Sequence, residues 1–238
     1  MADMETNAVM APPMVHAAVS RAAQPSFDQV WGAIFADASS TVRTVLFTSA
    51  SRHEGVSTLV AGTALTAANM GFTRRIGLLD LNLRFPRLAS LVRATPTPGL
   101  TDVLTGRAQV EQIAQTVGFG NLTLYPAGAA AHDLGRQGGG PDTALSLLGG
   151  QALKALIGEL AGRHDYLLCD CAAVNLYPDA QILAPLFDAV VLVAEAGATR
   201  RESLGEARKR IELGRGRVLG VVLNKRRYPV PRFLYRRS

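Results

Sequence analysis

Short, unbroken apolar runs alternate along this chain with stretches of helical spacing. Residues 42–49, 75–80, 121–125, 166–170, 189–194 and 218–224 read as strands. Phe27, Val30, Trp31, Ile34 and Phe35 recur at helical spacing. They predict a helix over residues 27–37 that packs on a neighbour, with Ser26 as its cap. Further helices are expected over residues 57–70, closed by Gly71, and over 99–106, 110–116, 145–162, 179–186 and 201–213. Strands that are apolar throughout, rather than alternating, must be covered on both faces. With helices between them they argue an α/β fold built on a doubly wound, mostly parallel sheet. In such sheets ligands gather at the carboxyl ends of the strands. The loop at 50–57, Asp80, Asp170 and Asn224 all fall at strand ends and are expected to share one crevice.

The stretch Val45-Leu-Phe-Thr-Ser-Ala-Ser-Arg-His-Glu-Gly-Val-Ser-Thr-Leu59 reads as strand, tight loop and helix start. That is the layout of a phosphate-binding P-loop, in which backbone N–H groups and a helix N-terminus face a polyphosphate. A working loop ends Gly-Lys-Ser or Gly-Lys-Thr. Its lysine neutralises the β- and γ-oxygens and its hydroxyl binds Mg²⁺. Here the sequence is Gly55-Val56-Ser57. The candidate nucleotide-binding residues are Glu54, Gly55, Val56, Ser57, Thr58 and Asn224. Val56 offers an N–H but no charge. His53 stands where a further glycine would let the chain approach the phosphate. Arg52 is the nearest fixed cation, but it starts on the wrong side of the turn to replace a lysine. Ser57, Asp80 and Asp170 are the candidate Mg²⁺ residues, although an acid after a strand also serves simply to cap the next turn. The Asn224 amide can meet an adenine edge or serve a turn.

Composition narrows the organisation. A chain of 238 residues with 48% hydrophobic content suits one domain with a sizeable core. We expect that domain over residues 26–225. Residues 1–25 are rich in Ala, Met and Pro and are expected to be disordered. A flexible surface loop is expected over 129–143, where Gly138, Gly139, Gly140 and Pro141 cluster. The net charge of +6 is uneven: residues 200–238 carry thirteen Lys and Arg against Glu202, Glu206 and Glu212. Such a terminus, with its basic tail over 226–238, suits an anionic membrane surface, nucleic acid or an acidic partner; otherwise it is a solvated face. Cys169 and Cys171 point to one side of a strand and lack histidine neighbours, so they read as buried free thiols of a reducing compartment. No run is apolar for long enough to span a bilayer, and Met1–Glu5 carries acids where a signal peptide wants bases. The expected location is the cytoplasm.

Several stretches together resemble the cytoplasmic ATPase domain of bacterial tyrosine kinases of capsule and exopolysaccharide synthesis (the CpsD/CapB and Wzc type, a branch of the MinD/ParA-like P-loop NTPases). Phe47 to Thr58 resembles the family's TSAxPGEGKST. Leu78-Leu-Asp-Leu-Asn-Leu-Arg-Phe-Pro86 resembles IDADLRRP, and Gly99-Leu-Thr-Asp-Val-Leu-Thr-Gly106 resembles GLSDVLxG. Tyr125-Pro-Ala-Gly128 is similar to LPAG, 166–170 to the Walker B strand, and Gly220-Val-Val-Leu-Asn224 to GVVLN. The likeness is collinear over about residues 42–225. It departs at functional positions: His53 for the loop glycine, Val56 for the lysine, Asn82 for the second acid of the Asp-x-Asp loop. Asp170-Cys-Ala-Ala173 replaces Asp-Thr-Pro-Pro, and Pro25, Asp28 and Trp31 stand where the family carries its Glu-x-x-Arg-x-x-Arg assembly motif.

The resemblance implies ATP and Mg²⁺ as ligands, with binding weakened or lost here. It implies an inner-membrane polysaccharide co-polymerase or chain-length regulator as partner, a peripheral position at the inner membrane face and no specific nucleic acid. Tyr228 and Tyr235 are what remains of the family's phosphorylated tyrosine cluster. One charged group in phosphoryl transfer is commonly worth roughly 10³-fold or more, so the replaced positions imply a catalytically impaired member. The loss of the assembly motif argues against the family's ring. The alternatives are an active tyrosine autokinase drawing on Arg52 or a partner's cation, and a MinD-like localisation factor held to membrane or nucleoid by the basic tail.

Overall fold

The computed structural model describes residues 24–35, 41–70, 74–118, 120–128 and 141–226. The expectations for the segment before residue 24, for Gly71, for most of the 129–143 loop and for Tyr228 and Tyr235 lie outside these residues. In chain order the elements are α1 (Gln24–Phe35), β1 (Thr44–Ser49), α2 (Val56–Asn69), β2 (Ile76–Asp80), α3 (Leu88–Val92), α4 (Leu100–Leu104), α5 (Val110–Ile113) and β3 (Gln115–Val117). There follow β4 (Leu122–Tyr125), α6 (Pro141–Leu148), α7 (Gln151–Arg163), β5 (Tyr166–Asp170), α8 (Asp179–Leu183), β6 (Ala189–Glu195), α9 (Arg201–Leu213) and β7 (Val218–Asn224).

The seven strands form one sheet in the order β3-β4-β2-β5-β1-β6-β7. Every pairing is parallel except that of β3 with β4. The two-residue period of a strand divides its side chains between two layers. Val45 and Phe47 of β1, Ile76 and Leu78 of β2, and Val191 and Val193 of β6 enter the layer filled by α1, α2 and α3. Leu46, Leu79, Val190 and Leu192 enter the opposite layer, filled chiefly by α7, α8 and α9. A strand buried on both faces needs no polar positions, which is why β1, β2 and β6 read as continuous apolar runs. Helix α2 is Ala-rich and buried almost all round between the sheet and α1. Its Gly62 makes that possible: a Cβ there would lie 2.5 Å from the Phe27 ring of α1.

Four expectations are revised. The helix expected over 110–116 stops at Ile113. Ala114 takes an extended backbone, and the next three residues run antiparallel to β4 as the sheet edge. The helix expected over 145–162 is two helices, because Gly150 is extended and opens α7 as its N-cap. The helix over 179–186 ends at Leu183 and tightens into a 3₁₀ turn over Ala184–Leu186. The first helix begins at Gln24, so Ser26 lies within its first turn instead of capping it.

Far from the P-loop, at the amino end of β1, Asp188 fastens two strands together. One of its oxygens accepts the N–H of Arg43 at 2.9 Å, the N–H of Thr44 at 2.8 Å and the Thr44 hydroxyl at 3.0 Å.

Candidate functional site

Strand β1 delivers the chain to the carboxyl edge of the sheet, where residues 50–55 turn into α2. His53 and Gly55 both take left-handed backbone conformations, with φ of 66° and 88°. A non-glycine residue at φ 66° is uncommon, so position 53 keeps the backbone of a glycine-containing loop without the glycine. Leu59 is the first α2 residue whose N–H reaches back, to the Gly55 carbonyl at 3.0 Å. The amides of Val56, Ser57 and Thr58 therefore have no helical carbonyl to bond, and they form the positive end of the helix.

The loop is held from outside by the ends of β6 and β7. The Asn224 amide donates to the Glu54 carbonyl at 2.9 Å. A Cβ on Gly55 would lie 2.3 Å from that amide nitrogen, so the approach requires glycine. Lys225 donates its ammonium to the His53 carbonyl and to Glu195, the latter at 2.8 Å. The buried Glu54 carboxylate accepts the Ser51 N–H at 3.1 Å and the Thr199 hydroxyl. Glu54 thus braces the loop with its side chain.

Asp80 and Asp170 are register partners at the ends of β2 and β5. Asp170 is fully buried; one oxygen accepts the Ser57 hydroxyl at 2.5 Å and the other has no hydrogen-bond partner. Asp80 accepts the backbone N–H groups of Asn82, Arg87 and Leu88 at 3.3, 3.1 and 3.0 Å. Burial pushes the Asp80 carboxyl up to about 7 against the pull of those N–H groups. Burial, and then the neighbouring Asp80 charge, push Asp170 well above the carboxylate range against the Ser57 hydroxyl. Burial thus favours the protonated forms of these two adjacent carboxyls, and a divalent cation bound there would displace protons.

The loop after β2 folds upon itself. Asn82 accepts the Phe85 N–H with its side-chain oxygen at 3.2 Å. Arg84 makes a bidentate pair with Asp179 at 2.7 and 2.8 Å and lies 4.4 Å from the Tyr177 ring centroid. Arg52 lies 3.8 Å over the Phe85 ring. These loops enclose a cavity of about 470 Å³ whose walls include Arg52, Gly55, Ser57, Phe85, Tyr177 and Lys225. Val56 also borders it, but the residue is only 8% exposed and its side chain packs into the α1–α2 layer.

The residues fit Mg²⁺ with a polyphosphate in part. The unpartnered Asp170 oxygen beside the Ser57 hydroxyl is a hard-oxygen pair of the kind Mg²⁺ takes together with substrate phosphates. Among the described residues no group of three or more His, Cys, Asp and Glu can hold a metal by itself. The loop amides suit phosphate oxygens. A cation at position 56 is lacking.

Of the candidates named from sequence, Glu54, Gly55, Val56, Ser57, Thr58, Asp80, Asp170 and Asn224 all come to this edge. Only Ser57 and Asp170 touch each other directly as a prospective metal pair. Asp80 holds its own loop, and the Asn224 amide nitrogen is bound to the P-loop. The sequence reading missed Lys225, which counted only as part of the basic terminus, and the Arg84–Asp179 pair. Cys169 and Cys171 are buried free thiols, and burial raises both.

A seven-stranded, mostly parallel α/β sheet with this loop at its carboxyl edge is a P-loop NTPase domain of the MinD/ParA-like kind. Among solved structures, the chimerical protein CapA2B2 superposes with a TM-score of 0.76 at 21% identity, covering 86% of this chain and 85% of that one. Cobyrinic acid a,c-diamide synthase from Mycobacterium smegmatis, solved with an ATP analog and magnesium, gives 0.60 at 18%, covering 77% of this chain and 72% of that one. No family model matches the chain. Tyrosine-protein kinase CpsD of Streptococcus agalactiae is 30% identical over 179 residues, 75% of this chain and 73% of that protein. Tyrosine-protein kinase YwqD of Bacillus subtilis is 28% identical over 190 residues, 80% of this chain and 75% of that protein. Succinoglycan biosynthesis transport protein ExoP of Rhizobium meliloti is 31% identical over 188 residues, 79% of this chain but 23% of that larger protein. The chain belongs to the family of bacterial polysaccharide-synthesis tyrosine-protein kinases.

Proposed function

We propose that this chain is a catalytically impaired, tyrosine-kinase-like member of that family. It supports capsule or exopolysaccharide synthesis or export as the cytoplasmic partner of a membrane chain-length regulator. The domain spans residues 26–225, and the basic tail over 226–238 helps hold it at the anionic inner face of the membrane. The observation that carries the reading is Val56: an uncharged side chain, packed into the core, at the position where phosphoryl transfer needs a lysine. Asn82 supports it, with a neutral amide turned back on its own loop where the family places an acid. The retained amides, Ser57 and Asp170 support weak Mg-ATP binding, and the ATP-analog complex of the cobyrinic acid synthase, which shares the fold, fits that reading. Bound Mg-ATP would bring a transferable γ-phosphoryl group and charge on its oxygens. The chain's own part is to orient it by backbone N–H groups and to exclude water with the Phe85–Tyr177 wall. The larger size of ExoP, named as a transport protein, supports a membrane component as the partner.

Purified full-length protein with Mg-ATP tests the reading. The expected result is no phosphotyrosine and no ATP hydrolysis above background, with activity gained on Val56→Lys together with Asn82→Asp. Autophosphorylation by the wild type, abolished by Asp170→Asn, would sink it in favour of an active autokinase. One observation favours that second reading: Arg52 does reach the cavity wall, stacked on Phe85.

A further inference from the structure

The charge absent from position 56 has a counterpart at the same loop, brought there from the far end of β7. We propose that Lys225 supplies the positive charge that the loop directs toward a polyphosphate. This rests on the reading that the cavity takes a nucleoside triphosphate.

The geometry begins with one peptide plane. The Lys225 ammonium donates to the His53 carbonyl. In a trans peptide the N–H of the same plane, that of Glu54, points the opposite way. A cation on the carbonyl polarises the plane and strengthens the donor on its other side. Asn224 does the same, without charge, one plane further on: it binds the Glu54 carbonyl, and the N–H of that plane belongs to Gly55. Two successive planes are therefore gripped by their carbonyls from outside. Left-handed His53 and Gly55 flank Glu54, an alternation of backbone hand that gathers successive N–H groups into an anion-binding concavity.

The lysine's stem follows the same loop. Its Cε would lie 3.7 Å from a Cβ on Gly55, and the residue lines the cavity. Its backbone is itself left-handed, at φ 54°, in a non-glycine residue. The counter-ion in this structure is Glu195, at 2.8 Å. A polyphosphate carries more charge than that single carboxylate, and the ammonium, on a partly exposed side chain, can turn toward it from where it stands. The other cations at the cavity are differently placed. Arg52 is stacked on Phe85, and Arg87 lies on the loop after β2. Lys225 is hydrogen-bonded to the P-loop backbone itself.

Calorimetric titration of the full-length protein with inorganic tripolyphosphate, and separately with Mg-ATP, tests this. Lys225→Met is expected to weaken both by about tenfold or more, the size of one near-surface charge contact, and to flatten the salt dependence of binding. Lys225→Arg is expected to stay within about threefold of wild type, and Val56→Lys in the Lys225→Met background to restore affinity by returning a cation from the helix side. Unchanged binding by Lys225→Met overturns the proposal. So do equal losses in Lys225→Met and Lys225→Arg without rescue, which mark a role confined to clasping the loop. Absence of binding by wild type overturns it as well, whether or not Val56→Lys gains any. Phosphotyrosine and hydrolysis are read separately. A wild type that proves active but depends on Lys225 for binding removes the impairment and keeps the lysine. An inactive wild type whose binding ignores Lys225 does the reverse.

Discussion

The loops after β1 and β2 leave the same edge of the sheet and face the same cavity, yet they handle their polar groups in opposite ways. The loop after β1 has its carbonyls bound by Asn224 and Lys225, and the amides at the start of α2 are left over. The loop after β2 closes upon itself, with Asp80 taking three of its N–H groups and Arg84 locked to Asp179. The first is a surface prepared for a ligand; the second is a wall. The replaced acid, Asn82, sits in the wall, where its oxygen already has an internal partner. The two loops meet where Arg52 lies over Phe85, but their backbones are held by different partners, Asn224 and Lys225 for the first and Asp80 for the second.

The strongest way to break this contrast is at the wall. Arg84→Ala leaves Asp179, which has no exposed surface, as an unpaired buried charge, and is expected to cost about 3–5 kcal/mol. Urea denaturation measures it. A loss below 1 kcal/mol would show that the pair is solvated and the wall is soft.

Asp170→Asn has the opposite sign. Both adjacent carboxyls are displaced upward, so the folded protein binds more protons than the unfolded chain in the window above the ordinary carboxylate range. Stability of the metal-free protein therefore falls as pH rises from about 4 through about 7 and beyond. The amide removes the Asp170 share of that loss while still accepting the Ser57 hydroxyl. We expect a higher melting temperature at pH 8, little change at pH 4, and loss of any Mg²⁺-dependent stabilisation. A wild-type melting temperature that is flat between pH 4 and pH 8 would contradict the carboxyl pairing.

Asn224→Ala acts on the prepared loop alone. It strips the Glu54 carbonyl of its partner at a partly exposed site, an expected loss of about 1 kcal/mol. Phosphate affinity should drop further than that stability change alone would produce, and calorimetry beside thermal melting separates the two. The smallest effect on phosphate binding belongs to Cys169→Ala. This buried thiol makes no disulfide, and the substitution is expected to cost about 1–2 kcal/mol through packing without altering phosphate binding.

Much of this contrast was legible before the structure, but unevenly. Strands buried on both faces announce themselves as apolar runs, so β1, β2, β5 and β6 and the acids ending β2 and β5 could be placed from sequence; β7 also reads as an apolar run, although it is a sheet edge with Val221 and Leu223 exposed. β3 could not: three residues are too few to show a period, and the pairing of Gln115 with Leu124 depends on where the chain turns. The P-loop was readable because it is contiguous. Its clasp was not, because Lys225 and His53 stand 172 positions apart and a lysine among arginines looks like surface charge. Val56 was visible as a missing charge, but nothing in its neighbours said that the side chain would be drawn into the α1–α2 layer.

His53 carries a last consequence, for the order in which parts of the molecule open. A non-glycine residue in the left-handed region sits about 1 kcal/mol or more above its relaxed backbone, and the neighbours that oppose its relaxation are the clasp residues from β6 and β7. Once Asn224 and Lys225 let go, the 53–54 peptide gains by swinging over, and the concave row of amides is lost before any strand separates. Hydrogen exchange at Glu54 and Gly55 should therefore report a local opening well below the global unfolding free energy. A bound anion should slow it selectively, leaving the amides of β1 unchanged.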